Sequence, residues 1–155
     1  MNRFEIISEK QFKKEKMPCA YEDIIIPTRA TKQSAGYDFV LPYDIQISAN
    51  STFIVKTGIK IKLEANLVLM VFIRSGICLK YGVKLLNQVG IIDSDYYNNT
   101  DNEGHILIVL QSGDKSIPFF KGSRIAQGII LPYLTVDNEK MSKNKRIGGF
   151  GSTKL

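Results

Sequence analysis

Three residues at the end of an apolar run combine the groups needed to grip phosphate. Leu67–Ile73 is uninterrupted apolar sequence, and Arg74, Ser75 and Gly76 follow it directly. An always-charged planar fork, a hydroxyl and an unhindered backbone N–H therefore emerge together, a set suited to phosphate oxygens. Taken alone, the same tripeptide reads first as a surface ion pair at Arg74 beside a turn begun by Ser75, and context must overturn that reading.

Asp93 poses a second question, because it follows Val89–Ile92, a run that reads as buried apart from Gly90. A carboxylate there is costly unless it is paired, solvated in a cleft or catalytic. Asp95 and Tyr96 come next. In a strand, Asp93 and Asp95 share one face and Ser94 and Tyr96 the other, but Asp-Ser-Asp also makes hairpin corners, and spacing leaves both readings open.

Three further segments join glycine or a turn to polar side chains beside apolar sequence: Ala35–Phe39 with Asp38, Gly122–Gln127, and the terminal Gly148–Thr153. In the last, Phe150 is a lone aromatic among glycines, and a tail with so little core of its own needs such a ring only if something receives it. His105 lies in an apolar strand pattern with no Ser or Cys nucleophile motif beside it and reads as structural. Cys19 and Cys78 lack C-x-x-C spacing and, with one histidine in the chain, cannot form a zinc cluster. Both are expected to be reduced, Cys78 as a small packed side chain.

The elements that must position these residues are strands. At 155 residues, 44% hydrophobic and 23% charged, with 12 Gly and 5 Pro, the chain suits one globular domain and excludes disorder, collagen and coiled coil. Its longest apolar run falls short of the roughly 18 to 20 residues of a membrane helix, and Met1–Lys16 is too charged for a signal peptide, so a cytoplasmic location is expected. The net charge of +6 is spread: 5 basic and 5 acidic groups in residues 1–23, 11 and 8 in 24–136, and 5 and 2 in 137–155. That distribution suits a compact anionic ligand better than a nucleic-acid polymer.

From Ile24 to Val136 the pattern is all-β. In Gly58–Leu63, Ile59, Ile61 and Leu63 alternate with Lys60 and Lys62, which predicts a half-solvated strand. Leu67–Ile73 is apolar on both faces and predicts a strand covered on both sides, within a sandwich or against another subunit. His105–Leu110 and Ile125–Leu131 read similarly, and short strands between turns point to a sandwich or jelly roll. Two places break the pattern: the capping-box sequence Ser8–Gln11 predicts a short helix near Gln11–Lys16, and Val136–Lys145 reads as a mobile arm.

In order, Ala35-Gly36-Tyr37-Asp38, Arg74-Ser75-Gly76, Gly90–Tyr96, Gly122–Gln127 and Gly148–Thr153 closely resemble the five motifs of the trimeric dUTP pyrophosphatase (dUTPase) family, over about residues 24 to 153. The resemblance implies a single jelly-roll-like domain, a distorted barrel or sandwich, over 1–155, with an N-terminal extension (1–23) and a mobile C-terminal arm (137–155). It further implies a homotrimer with shared active sites. The activity implied is hydrolysis of dUTP to dUMP and pyrophosphate with magnesium (Mg2+), which keeps uracil out of DNA and supplies dUMP for dTMP synthesis.

By the same resemblance Asp93 is the general base that activates water, Tyr96 packs on the deoxyribose, and Asp38 meets magnesium only through water. Arg74, Ser75, Gly76 and Gln127 hold phosphates. The hairpin from Asn87 through Gly90, Ile91 and Ile92 reads uracil with backbone groups, Phe150 stacks on the base, and Gly151 and Ser152 bind substrate beside it. Departures from the family pattern are Ile73 in place of Pro, extra hairpin length over Tyr97–Asn102, and Lys145-Arg146-Ile147 before the terminal glycines. Either Lys145 or Arg146 could meet the γ-phosphate, and the planar fork favours Arg146. Two rival readings remain. A dCTP deaminase would need a further acid-base carboxylate where this chain has Ile125-Ala126-Gln127, and a regulatory protein on the same fold would use the lengthened hairpin as a partner surface.

Overall fold

The computed structural model describes residues 1–140 and 148–149. The chain opens with β1 (Arg3–Ile6) and α1 (Glu9–Glu15), makes a 3-10 turn at Tyr21–Asp23, and continues through β2 (Thr28–Arg29), β3 (Tyr37–Val40), β4 (Ile45–Ile47), β5 (Thr52–Lys56), β6 (Ile59–Lys62) and β7 (Leu67–Ile73). After α2 (Ser75–Tyr81) come β8 (Lys84–Leu85), β9 (Gly90–Asp93), a 3-10 turn at Ser94–Tyr96, β10 (Leu107–Gln111), β11 (Ile117–Phe119) and β12 (Arg124–Pro132).

Three pairings are nested: β3 with β12, β4 with β11, and β5 with β10, all antiparallel. A chain folded back on itself in this way and then wrapped is the jelly-roll pattern, which keeps strand edges short. The largest sheet has the order β2-β3-β12-β7-β9, and β1 pairs with β6. Phe39, Leu41, Ile47, Leu69, Ile106, Leu110 and Ile125 are among the fully buried side chains of the core between the sheets. The all-β expectation holds.

Local differences from the sequence reading have identifiable causes. α1 starts at Glu9, earlier than expected, because the Ser8 hydroxyl caps it by accepting the Gln11 N–H at 3.1 Å. Gln11 does not complete the box; its amide donates to Glu15, while the Ser8 N–H turns to Glu103. α2 was not expected at all. It carries no buried residue, so it lacks the apolar stripe by which helices are recognised, and Leu79 is 86% exposed. Its one legible signal is Gly82, which ends the helix in the left-handed region at φ 64°. Cys78, on this helix, is exposed rather than packed.

Lys60 also departs from the half-solvated pattern. It is only 8% exposed, with its ammonium 3.2 Å from Glu103, 2.8 Å from the Asn98 amide oxygen and over the Tyr97 ring. On β7, Leu69 and Val71 enter the core, whereas Val68 and Met70 stay half-buried on an outer apolar face with Ile91, Leu131 and Tyr133.

Candidate active site

Asp38 lies on β3 directly across from Gln127 of β12, and Gln127 lies across from Phe72 of β7. The buried Asp38 carboxylate accepts from Arg124 Nη1 at 3.1 Å and forms an ion pair with Arg74 Nε at 3.0 Å. Arg124 reaches it because the β12 register shifts between Arg124 and Ala126, and such a bulge re-aims a side chain that strict alternation would send to the other face. Ile125 and Ala126 are accordingly both buried. Gln127 packs so tightly on Gly36 that a Cβ there would collide with the Gln127 amide oxygen.

Arg74 is the N-cap of α2, and Ile77 and Cys78 N–H both return to its carbonyl. Ser75 and Gly76 therefore open the first turn, where N–H groups have no intrahelical acceptor. The space before Gly76 is open: a Cβ there would meet nothing within 4 Å. Two guanidinium groups thus meet at Asp38, with Gln127 across from it and the Ser75 hydroxyl and first N–H groups of α2 directly following Arg74, a set able to bind a polyphosphate.

The second region is a cavity of about 270 Å³ lined by Asn87, Gly90, Ile91, Ile92, Tyr96 and Gly149. That volume lies at the small end of ligand pockets, near the size of a nucleoside. Among the described residues β9 is the edge of its sheet and pairs only with β7, so one row of its backbone N–H and C=O groups is directed away from the sheet and can read a base edge. The strand ends at Asp93, and Ser94–Tyr96 form the 3-10 turn, which favours the corner reading of the Asp-Ser-Asp sequence. Tyr96 is buried; its hydroxyl donates to the His105 carbonyl at 3.0 Å and accepts from the Asn102 amide at 2.7 Å. Gly149 lies on the Tyr96 ring, close enough that a Cβ would stand 3.0 Å from it. Asp93 is half-buried and borders the outer apolar face beside Val68, Met70 and Tyr133.

Within one chain Asp93 and Arg74 do not meet. Asp93 is paired across from Val68, whereas Arg74 stands six positions further along, just past Ile73. At about 3.4 Å per residue this separates them by about 20 Å.

His105 is fully buried and accepts the Gly58 N–H on Nε2. Burial holds its pKa below the ordinary value despite Glu15 at 3.6 Å, so it serves structure. Among the described residues no cluster of three His, Cys, Asp or Glu could ligate a metal directly. Asp38 offers one carboxylate, and both its oxygens are engaged by arginines, so it would meet a magnesium ion only through the ion's waters, with substrate phosphates supplying the closer ligands. Lys145, Arg146, Phe150, Gly151 and Ser152 lie outside the described residues. Neither Arg124, within Gly122–Gln127, nor Asn102 stands out in the sequence as a site residue. A bulge and a long-range amide contact carry no periodic signal.

The sequence model of the dUTPase family matches residues 22–154. Deoxyuridine 5'-triphosphate nucleotidohydrolase from Lactococcus lactis is 41% identical over 132 residues, covering 84% of this chain and 88% of its own. The Helicobacter pylori strain P12 protein of the same name is 33% identical over 145 residues, covering 90% and 96%. The crystal structure of dUTPase from Streptococcus mutans superimposes with a TM-score of 0.74 at 36% identity, covering 88% of this chain and 99% of that one. With the family match over residues 22–154 and a relative 41% identical over 84% of the chain, the chain belongs to the dUTPase family.

Proposed function

We propose that the protein hydrolyses dUTP to dUMP and pyrophosphate in sites shared between subunits of a homotrimer. The observation that carries this reading is the division of labour along β7. One end offers Arg74, Arg124, Ser75, Gly76 and Gln127 to phosphates, and the other offers an edge strand, Tyr96 and Asp93 to a nucleoside. A triphosphate is too short to bridge about 20 Å from its α-phosphorus, so a second copy must supply the phosphate-binding end. The outer face of Val68, Met70, Ile91 and Leu131 gives that copy an apolar surface to cover.

In this reading Asp93 accepts a proton from water as its oxygen attacks the α-phosphorus. The bond between that phosphorus and the bridging oxygen to the β-phosphorus breaks, and pyrophosphate leaves. Asp38 would hold a substrate-borne magnesium ion through water, and the ion supplies positive charge that offsets the phosphates. Arg74 and Arg124, released from Asp38 as phosphate arrives, align the leaving group, while β9 matches the donor and acceptor order of uracil. Cytosine reverses that order and leaves buried groups unpaired. Tyr96 packs on the sugar. Phe150 stacks on the base, Gly151 and Ser152 bind beside it, and Arg146, or Lys145, meets the γ-phosphate. The activity belongs with the cytoplasmic nucleotide pool, a reading supported by two unpaired cysteines.

The test is pyrophosphate release from dUTP beside dCTP, dTTP and UTP in the presence of magnesium. Release from dUTP far above that from the other three is expected. Ammonia release from dCTP, or no turnover of dUTP, would overturn the reading.

A further inference from the structure

We propose that residues 1–16 clamp the loop 97–105 and thereby fix the ring of Tyr96, making Asn102 and Glu103 positioning residues for discrimination between deoxyribose and ribose. This inference rests on the reading of Tyr96 as the sugar-facing ring. It assigns a role to a segment that lies outside the family match, which begins at residue 22.

The clamp consists of contacts made across most of the chain length. Glu103 accepts the Ser8 N–H at 3.0 Å and the Ser8 hydroxyl at 2.5 Å from 95 residues away. The Tyr97 hydroxyl donates to Glu5 at 2.7 Å. Lys14 donates to the Asp101 carbonyl, and the Glu15 carboxylate stands 3.6 Å from His105 Nδ1. Lys60 of β6 adds its ammonium to Glu103 from below. Burial alone would raise the Glu103 carboxyl, but the two Ser8 contacts and Lys60 outweigh it and hold the group below the usual range.

The loop needs such holding. Glu103 occupies the left-handed region at φ 58°, a conformation that a glutamate keeps only when its surroundings impose it. From the clamped end, the connection to the pocket is one residue long. Asn102 accepts from the Gly104 N–H and the Asn99 amide on its oxygen, and its own amide donates to the Tyr96 hydroxyl at 2.7 Å. The ring that lines the nucleoside cavity is thus tied at its far end to a loop anchored by α1. Rejection of a 2′-hydroxyl requires a ring that does not yield, and this tie supplies the rigidity.

The test measures the ratio of kcat/KM for dUTP over UTP, with Tm, in wild type, Glu103→Gln, Asn102→Ala and Tyr96→Phe, and in both loop substitutions combined with Tyr96→Phe. Loss of one buried hydrogen bond corresponds to a fall in the ratio of about fivefold to tenfold in each single variant. In the Tyr96→Phe background, which removes the tied hydroxyl but keeps the ring, the loop substitutions should change the ratio less than about twofold. Tyr96→Phe and Glu103→Gln carry the test if Asn102→Ala does not fold. A ratio unchanged in the single variants while Tm falls, or an equal effect in both backgrounds, overturns the clamp alone. A wild-type protein that does not turn over dUTP, or does not prefer it to UTP, overturns the functional reading as well.

Discussion

Asp93 and Arg74 stand at opposite ends of β7, the first paired across from Val68 and the second just beyond Ile73. If catalysis needs both on one substrate, they come from different subunits, and two inactive variants should rescue one another. Mixing Asp93→Asn with Arg74→Gln under subunit exchange leaves about a quarter of shared sites with both native residues. Turnover near a quarter of wild type is expected. No recovery after verified exchange would mean that each chain acts alone.

Asp93→Asn by itself keeps the side-chain shape but removes the proton acceptor. Turnover should fall by about a hundredfold to ten thousandfold, the usual range for a general base, with dUMP affinity retained. Steady-state pyrophosphate release and calorimetric titration with dUMP check this pair of outcomes. Turnover within tenfold of wild type would remove Asp93 from that role.

Legibility in the sequence followed periodicity and local chemistry. Leu67–Ile73 is readable as a strand because seven apolar residues are too few for a buried helix, and Ser8 is readable as a cap because capping is local. Arg74-Ser75-Gly76 was readable as a phosphate-type set, but not as the start of a helix, because α2 buries nothing. What depends on register was hidden. The bulge that delivers Arg124 to Asp38, and the burial of Lys60 beneath Glu103, arise from residues far apart in sequence.

Gly36 should be a sensitive position for that reason. A methyl group there must push aside the Gln127 amide oxygen, while the Gln127 Cβ and Cδ at 3.2 Å need yield only slightly. Gly36→Ala is therefore expected to cost about 1 kcal/mol of stability or less and to lower kcat/KM for dUTP by about tenfold. Thermal melts and initial rates separate the two effects. An unaffected rate would mean that Gln127 does not touch substrate.

His105 makes stability depend on pH. Burial lowers its pKa in the folded chain, with Glu15 opposing and Lys56 reinforcing, so below the ordinary value of 6.5 the unfolded chain takes up a proton that the folded chain refuses. Stability is therefore full above about pH 6.5 and falls as pH drops toward the lowered folded value, by at most about 1.4 kcal/mol per pH unit. His105→Gln can still accept the Gly58 N–H but cannot titrate. Melting temperatures from pH 7.5 to 5.5 should decline more steeply in wild type than in His105→Gln, and parallel curves would contradict the assignment.

The terminal segment should matter for rate more than for folding. Gly149 rests on the Tyr96 ring at the mouth of the nucleoside cavity, and glycine is needed there because any side chain would press on the ring. Removal of residues 146–155 takes away this cover together with Arg146 and Phe150, but none of β1 to β12, so the fold should persist. Water exclusion and γ-phosphate alignment would be lost together, and both act on the transition state more than on nucleotide already bound. Turnover of dUTP should fall by about a hundredfold or more, whereas affinity for dUMP, which has no γ-phosphate, should weaken much less. Comparing the truncated and full-length proteins in both measurements decides the matter, since equal turnover would show that the segment takes no part in the reaction.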